Sequence, residues 1–282
     1  MASPLPDAYF LSFEALNLAL LLLCLRDAYR RGRLVGAWVL LAGVLFGLML
    51  ELATIQQLQA YRYGRFVLML GEVPLAIGIG WGVIVYSARR FTDALSAPGW
   101  SRALMDALLA LNIDLSMDAI AIRLGFWDWG RGLDFQYFGV PYANFWAWMW
   151  VVFFFSAGLR VLERLPGVWG RWLAPPGAVA IGVAGVLGTN ALIAYHVDGS
   201  LHLTVVGALL FLALTVVLLL VQRGRIRRND DSGAPARWVP FGYHLYFLGA
   251  GLISGALFNP PALLLVALVM SALAGWLHKP AR

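Results

Sequence analysis

The chain has 282 residues, of which 61% are hydrophobic and only 13% charged, with a formal net charge of +6. A soluble domain cannot bury that much apolar surface, so the composition points to a polytopic membrane protein built from spans of ~20 apolar residues. The basic excess then reports membrane orientation rather than nucleic-acid binding, and a single cysteine, Cys24, excludes a disulfide or a Cys-ligated metal within one chain.

Nine helices are expected, over 8–25, 34–59, 66–88, 103–122, 141–160, 175–195, 201–221, 239–257 and 261–277. They make a single all-α transmembrane bundle, residues 1–282, with no separate soluble domain. The start, MASPLPDAYF, lacks a basic n-region, so no cleavable signal is expected. The last two helices are separated only by FNPP and form a tight or partly re-entrant pair.

Of the 21 basic residues, 17 fall on one side of this arrangement, following helices 1, 3, 5, 7 and 9. The other side holds Arg62, Arg65, Arg123 and Arg131. The positive-inside rule then places the N-terminus outside and the C-terminus in the cytoplasm. The segment RGRIRRNDDSGAPAR (223–237) reads as a solvated inner loop, and tryptophans in NFWAWMWVVFFF (144–155) as partly an interfacial belt.

Charged groups inside hydrocarbon cost at least ~2.5–3.5 kcal/mol each and mark functional sites by default. This chain has Glu14, Glu51, Glu72, Asp114 and Asp118 in apolar runs. Asp106 lies nearer the inner end and is expected to be solvated or paired with Arg102. In the expected topology the five acids, with Asn144, all fall in the outer half of the bilayer, so one outward-facing polar pocket can collect them. Asp114 and Asp118 are i,i+4 and share a helix face. Two carboxylates in a dry pocket do not both ionise easily, so one is held as a neutral acid beside the other. That is a general acid/base pair. The structural alternative pairs Asp114 with Arg123.

Other chemistries are excluded or disfavoured. The only lysine, Lys279, lies at the C-terminal end, so no intramembrane Schiff base can form. The four histidines, His196, His202, His244 and His278, make no histidine box. His196 and His202 flank one short outer loop that reads as polar rather than as a metal site, and His244 reads as structural or at the lipid interface rather than as a substrate contact. No P-loop or dinucleotide fingerprint appears, and no metal or cofactor is expected. Acid–base chemistry on an apolar molecule remains.

The run ELATIQQLQAYRYG (51–64), then GEVPLAIGIGWGVIVYSA (71–88), DLSMDAIAIRLGFWDW (114–129) and YFGVPYANFWAW (137–148), resembles the membrane-integral carotenoid biosynthesis proteins of the CruF type. These are carotenoid 1,2-hydratases, including the bisanhydrobacterioruberin hydratases. The resemblance covers roughly residues 46–148, with Ala119 in place of a proline and Ala147 in place of a glycine. It implies a cofactor-independent hydro-lyase in the cell membrane. Such an enzyme protonates the terminal double bond of a linear carotenoid and captures the tertiary carbocation with water. Asp114 or Asp118 would be the proton donor. Glu51 or Glu72 would activate the water, with Asn144 holding it. Trp81, Trp127, Trp129, Tyr137, Phe138 and Trp148 would surround substrate and cation. The partners implied are the carotenoid in the bilayer and membrane lipid. A cyclase or isomerase begins with the same protonation, and a proton-coupled lipid or small-molecule transporter would also use intramembrane acids.

Overall fold

The computed structural model describes residues 7–228 and 232–279. Arg282 of the expected inner charge and residues 229–231 of the expected inner loop lie outside the described residues. The described chain forms eight α-helices: α1 (Ala8–Leu58), α2 (Leu75–Asp93), α3 (Gly99–Arg123), α4 (Tyr142–Leu162), α5 (Ala174–Ala191), α6 (His202–Gln222), α7 (Gly233–Ile253) and α8 (Ala262–Leu277). Short π-helical turns at Trp169–Leu173 and Leu192–His196 extend α5 at both ends.

The first two expected helices are the arms of α1. Its 51 residues would make a rod of ~76 Å if straight. At Arg33 the backbone leaves the helical region (φ 50, ψ −129) and the chain turns back. Both far ends consequently meet: the rings of Phe10 and Phe66 lie 4.8 Å apart, and Glu14 accepts the backbone N–H groups of Val67 and Leu68 at 3.0 and 3.4 Å. Glu14 is therefore used to fix a loop.

Prolines set three helix starts. Pro74, Pro98 and Pro141 stand at the N-caps of α2, α3 and α4, where their fixed φ suits the first turn and their missing N–H costs nothing. Pro74 also corrects one expectation. Residues 66–74 do not begin a helix; Met69–Leu70 (β2) and Val73–Pro74 (β3) form a small antiparallel hairpin with Glu72 exposed at its turn. Two further pairs join loops: Arg62–Tyr63 (β1) with Trp127–Asp128 (β5), and Leu95–Ser96 (β4) with Arg227–Arg228 (β6). At the other end, residues 233–237 belong to α7 rather than to an inner loop.

Among the described residues, four stretches are long and apolar enough to cross a membrane: Ala8–Leu58, Tyr142–Leu162, Trp169–His196 and Gly199–Gln222. Close backbone approach lets α1 pack on α2. An added Cβ at Gly43 would lie 3.2 Å from the Cα of Gly82, and one at Gly47 would lie 2.5 Å from the Cβ of Trp81.

Toward the end of the bundle opposite the β1–β5 pair, α2, α3 and α4 are tied by a buried polar cluster. Asp106, fully buried, accepts from Thr92 (2.5 Å), from Arg160 (2.9 Å) and from Ser156. Arg160 also pairs with Asp93. The expected partner of Asp106, Arg102, instead donates to the Leu95 carbonyl at 3.0 Å. Removing Asp106 leaves Arg160 with Asp93 as its remaining acid and takes the acceptor from the Thr92 and Ser156 hydroxyls. Asp106→Ala is expected to lower stability by about 1–3 kcal/mol, measured by unfolding in detergent. A loss below about 1 kcal/mol would mean that the cluster behaves as an exposed pair.

Candidate active site

A cavity of about 1010 Å³ opens between the helix ends that carry the β1–β5 pair. α3 delivers Asp114 and Asp118 to one face, one turn apart, and α4 brings Asn144 against both. The Asn144 side-chain amide donates to Asp118 Oδ2 at 2.6 Å and to Asp114 Oδ2 at 3.2 Å. The carboxylates differ in access. Asp118 lines the cavity, whereas Asp114 is fully buried behind it and its Oδ1 has no hydrogen-bond partner among the described residues. Arg123 is not paired with Asp114. Its guanidinium donates to the carbonyls of Ala119, Leu133, Phe138 and Asn259, clamping the loop after α3. Among the described residues, no ion pair engages Glu51, Asp114 or Asp118.

Another part of the cavity wall carries Glu51, from the second arm of α1. It accepts from the Trp81 indole at 2.7 Å and from the Tyr61 hydroxyl. Tyr61 and Tyr63 come from the loop after α1, held by the β1–β5 register that sets Tyr63 opposite Trp127. Burial first, and then the nearby Glu51 carboxylate, push both tyrosine hydroxyls well above the usual range, so both remain O–H donors. In the DWG stretch Asp128 accepts the Gly130 N–H at 2.8 Å, and Gly130 takes a left-handed φ of 63°. This turn brings the Trp129 ring to 4.7 Å from that of Tyr61. Trp81 and Trp148 lie 4.3 Å apart, ring to ring. Carboxylates thus meet an aromatic lining whose faces suit a cation.

Of the expected site residues, Glu51, Asp118, Asn144, Trp81, Trp127, Trp129 and Trp148 line this cavity, with Asp114 directly behind. Three do not reach it. Glu72 stays on the exposed β2–β3 turn. Tyr137 and Phe138 pack on each other behind α3, where Tyr137 donates to the Leu115 carbonyl at 2.8 Å. Residues the sequence did not single out also contribute, namely Tyr61, Tyr63, Asn190 and Tyr243, and His202, expected only to flank a loop, lines the cavity as well. His202 lies within 3.0 Å of the Ile193 carbonyl, while His196 is exposed. His244 ties α7 to α3 through Ser116 (3.2 Å) and Asn112 (3.0 Å) and does not line the cavity.

Such a site can donate a proton from one wall, accept one at another, and shelter a cation between them. A family model described as carotenoid biosynthesis protein matches residues 9–212, which include these acids and the four cavity tryptophans. No curated protein and no solved structure matches the chain. With that match covering well over half of its length, the chain belongs to the carotenoid biosynthesis protein family.

Proposed function

We propose that the protein is a multi-pass enzyme of the cell membrane, N-terminus outside and C-terminus cytoplasmic, that hydrates the end group of a linear carotenoid. The observation that carries this reading is one cavity with Asp118 and Glu51 on its walls, ringed by tryptophan and tyrosine. Asp118, protonated and backed by Asp114 through Asn144, gives its proton to one carbon of the terminal trisubstituted double bond. The π electrons form the new C–H bond and leave a tertiary cation on the neighbouring carbon. Trp81, Trp127, Trp129 and Trp148 face that charge; each such contact contributes up to ~2 kcal/mol in a desolvated site. Water adds its oxygen to the cation and loses a proton to Glu51. Exchange of that proton back to Asp118 resets the pair. No electron leaves or enters, so the reaction needs neither redox cofactor nor metal.

Expression in cells that make a linear carotenoid tests this directly. Pigments should gain the mass of one water per modified end. Isomers of unchanged mass would assign cyclisation or isomerisation instead, and unchanged pigment with proton-coupled uptake in vesicles would assign transport.

A further inference from the structure

We propose that the α5–α6 wall of the cavity is an oxygen pocket, in which Asn190 and His202 hold a neutral hydroxyl group: first the attacking water, then the alcohol it becomes. For the identity of its ligand this rests on the carotenoid reading above. One side of α5 and of the π-helical turn after it faces the cavity, through Val186, Asn190, Ile193 and Ala194. Their spacing is that of a single helix face. Asn190 is only 2% exposed, and its side-chain nitrogen has no hydrogen-bond partner among the described residues. A buried amide donor left unpaired costs stability. Keeping one on a cavity wall points to a purpose outside the fold, namely an acceptor that arrives with a ligand.

His202 completes this wall from the start of α6. Its Nε2 lies 3.0 Å from the Ile193 carbonyl and 3.3 Å from that of Val197. Carbonyls only accept, so in the neutral ring Nε2 carries the proton and Nδ1 is left as an acceptor. Ile193 follows Asn190 by about one turn, which brings both side chains to the same end of α5. The lining residues of this wall, from Val186 to His202, include no acid and no arginine. One donor and one acceptor without a counter-ion match an O–H group, which both accepts and donates. A carboxylate or phosphate would find no cation here.

The wall also stands where the oxygen is needed. A Cβ on Gly182 would lie 2.6 Å from the Phe46 ring, and further along Gln57 donates to the Leu187 carbonyl at 2.9 Å. α5 thus runs beside the second arm of α1 in the same direction. Asn190 lies as far beyond Gly182 as Thr54 lies beyond Phe46, so it is level with Thr54, a lining residue within one turn of Glu51. Water has two protons and two lone pairs. In the reaction proposed above, Glu51 takes one proton and the cation takes one lone pair. The His202 Nδ1 and the Asn190 N–H suit the remaining proton and lone pair. Once the C–O bond has formed, the same two groups hold the product hydroxyl.

Two polyenes of equal length test the pocket without relying on the chemistry: a hydrocarbon with acyclic ends, and the same chain with a tertiary alcohol at one end. Each is titrated into vesicles carrying the full chain, and quenching of the cavity tryptophans reports binding. The alcohol should bind about tenfold more tightly, and Asn190→Leu should cut that preference to about twofold or less while leaving hydrocarbon affinity unchanged. Because the amide has no partner to lose, Asn190→Leu should unfold in detergent no earlier than the native chain. Hydration should nevertheless fall about tenfold in that variant. A native chain that does not prefer the alcohol, or a preference that survives in Asn190→Leu, would overturn the proposal. A preference lost together with early unfolding in both Asn190→Leu and Asn190→Ala would make the amide structural and overturn it as well. If the preference is present and is lost in a stable variant, but no pigment gains water, the hydratase reading fails while the pocket stands. Pigment that gains water in a chain with no preference for the alcohol would do the reverse.

Discussion

Asp118→Asn should abolish conversion, with a fall of about 10²–10⁴-fold, the range for loss of a general acid. Asparagine keeps the shape and an oxygen to accept from Asn144, but it has no proton to give. Asp118 is the member of the pair that reaches the cavity, and Asp114 sits fully buried behind the same amide. Asp114→Asn is therefore expected to act indirectly. It removes the second carboxyl held by the same Asn144 amide, and the loss should be closer to tenfold, accompanied by a shifted pH profile. Pigment conversion per unit of folded protein measures both, with the unfolding transition in detergent as the control. Full activity in Asp118→Asn would remove the assigned donor. Equal inactivation by both substitutions would mean that the proton belongs to the pair as a whole.

The contrast between the two aspartates is the kind of information a sequence does not carry. That both face one way follows from i,i+4 spacing, and that they matter follows from their cost in an apolar run. Which of them meets a ligand depends on how α4 leans across α3. Glu51 was legible for the same reason as the aspartates. Its partners were not, because Tyr61 arrives through a loop whose Arg62 and Tyr63 pair with Asp128 and Trp127, far along the chain. Glu72 misled because FVLML before it looks like a helix start. The turn at Gly71 (φ 63°) and the cap at Pro74 convert that stretch into a hairpin and leave the acid in the open. Tyr137 and Phe138 sit close to the site in sequence, but Arg123 bonds to the Phe138 carbonyl at 2.7 Å and holds the segment behind α3. Most helices were readable to within a few residues of their ends, since apolar length marks them, but α2 starts nine residues later and α7 six residues earlier than that signal places them. What escaped was set by loop-to-loop pairing and by side-chain direction.

Loss of Glu51 should alter the products rather than simply the rate, and this separates its role from that of Asp118. In Glu51→Gln the acid pair is intact, so the double bond is still protonated and the tertiary cation still forms among the tryptophans. Water near a glutamine has no base to take its proton, and attack slows by about 10²-fold or more. A cation held that long loses a neighbouring proton instead. The expected outcome is a fall in hydrated pigment together with a rise in isomers of unchanged mass, whereas Asp118→Asn should yield neither. Tyr61→Phe tests the same wall more gently. It removes one donor to Glu51 while Trp81 remains at 2.7 Å, leaving the carboxylate less firmly aimed at the cavity. Its effect should be about tenfold, in line with loss of one hydrogen bond to a charged group at roughly 1.5 kcal/mol, and it should fall on turnover rather than on apparent substrate affinity. Hydrated product at the native rate from Glu51→Gln would remove Glu51 from the capture step and leave water attack to cavity solvent. The same variant making isomers is the result that only a trapped cation can give.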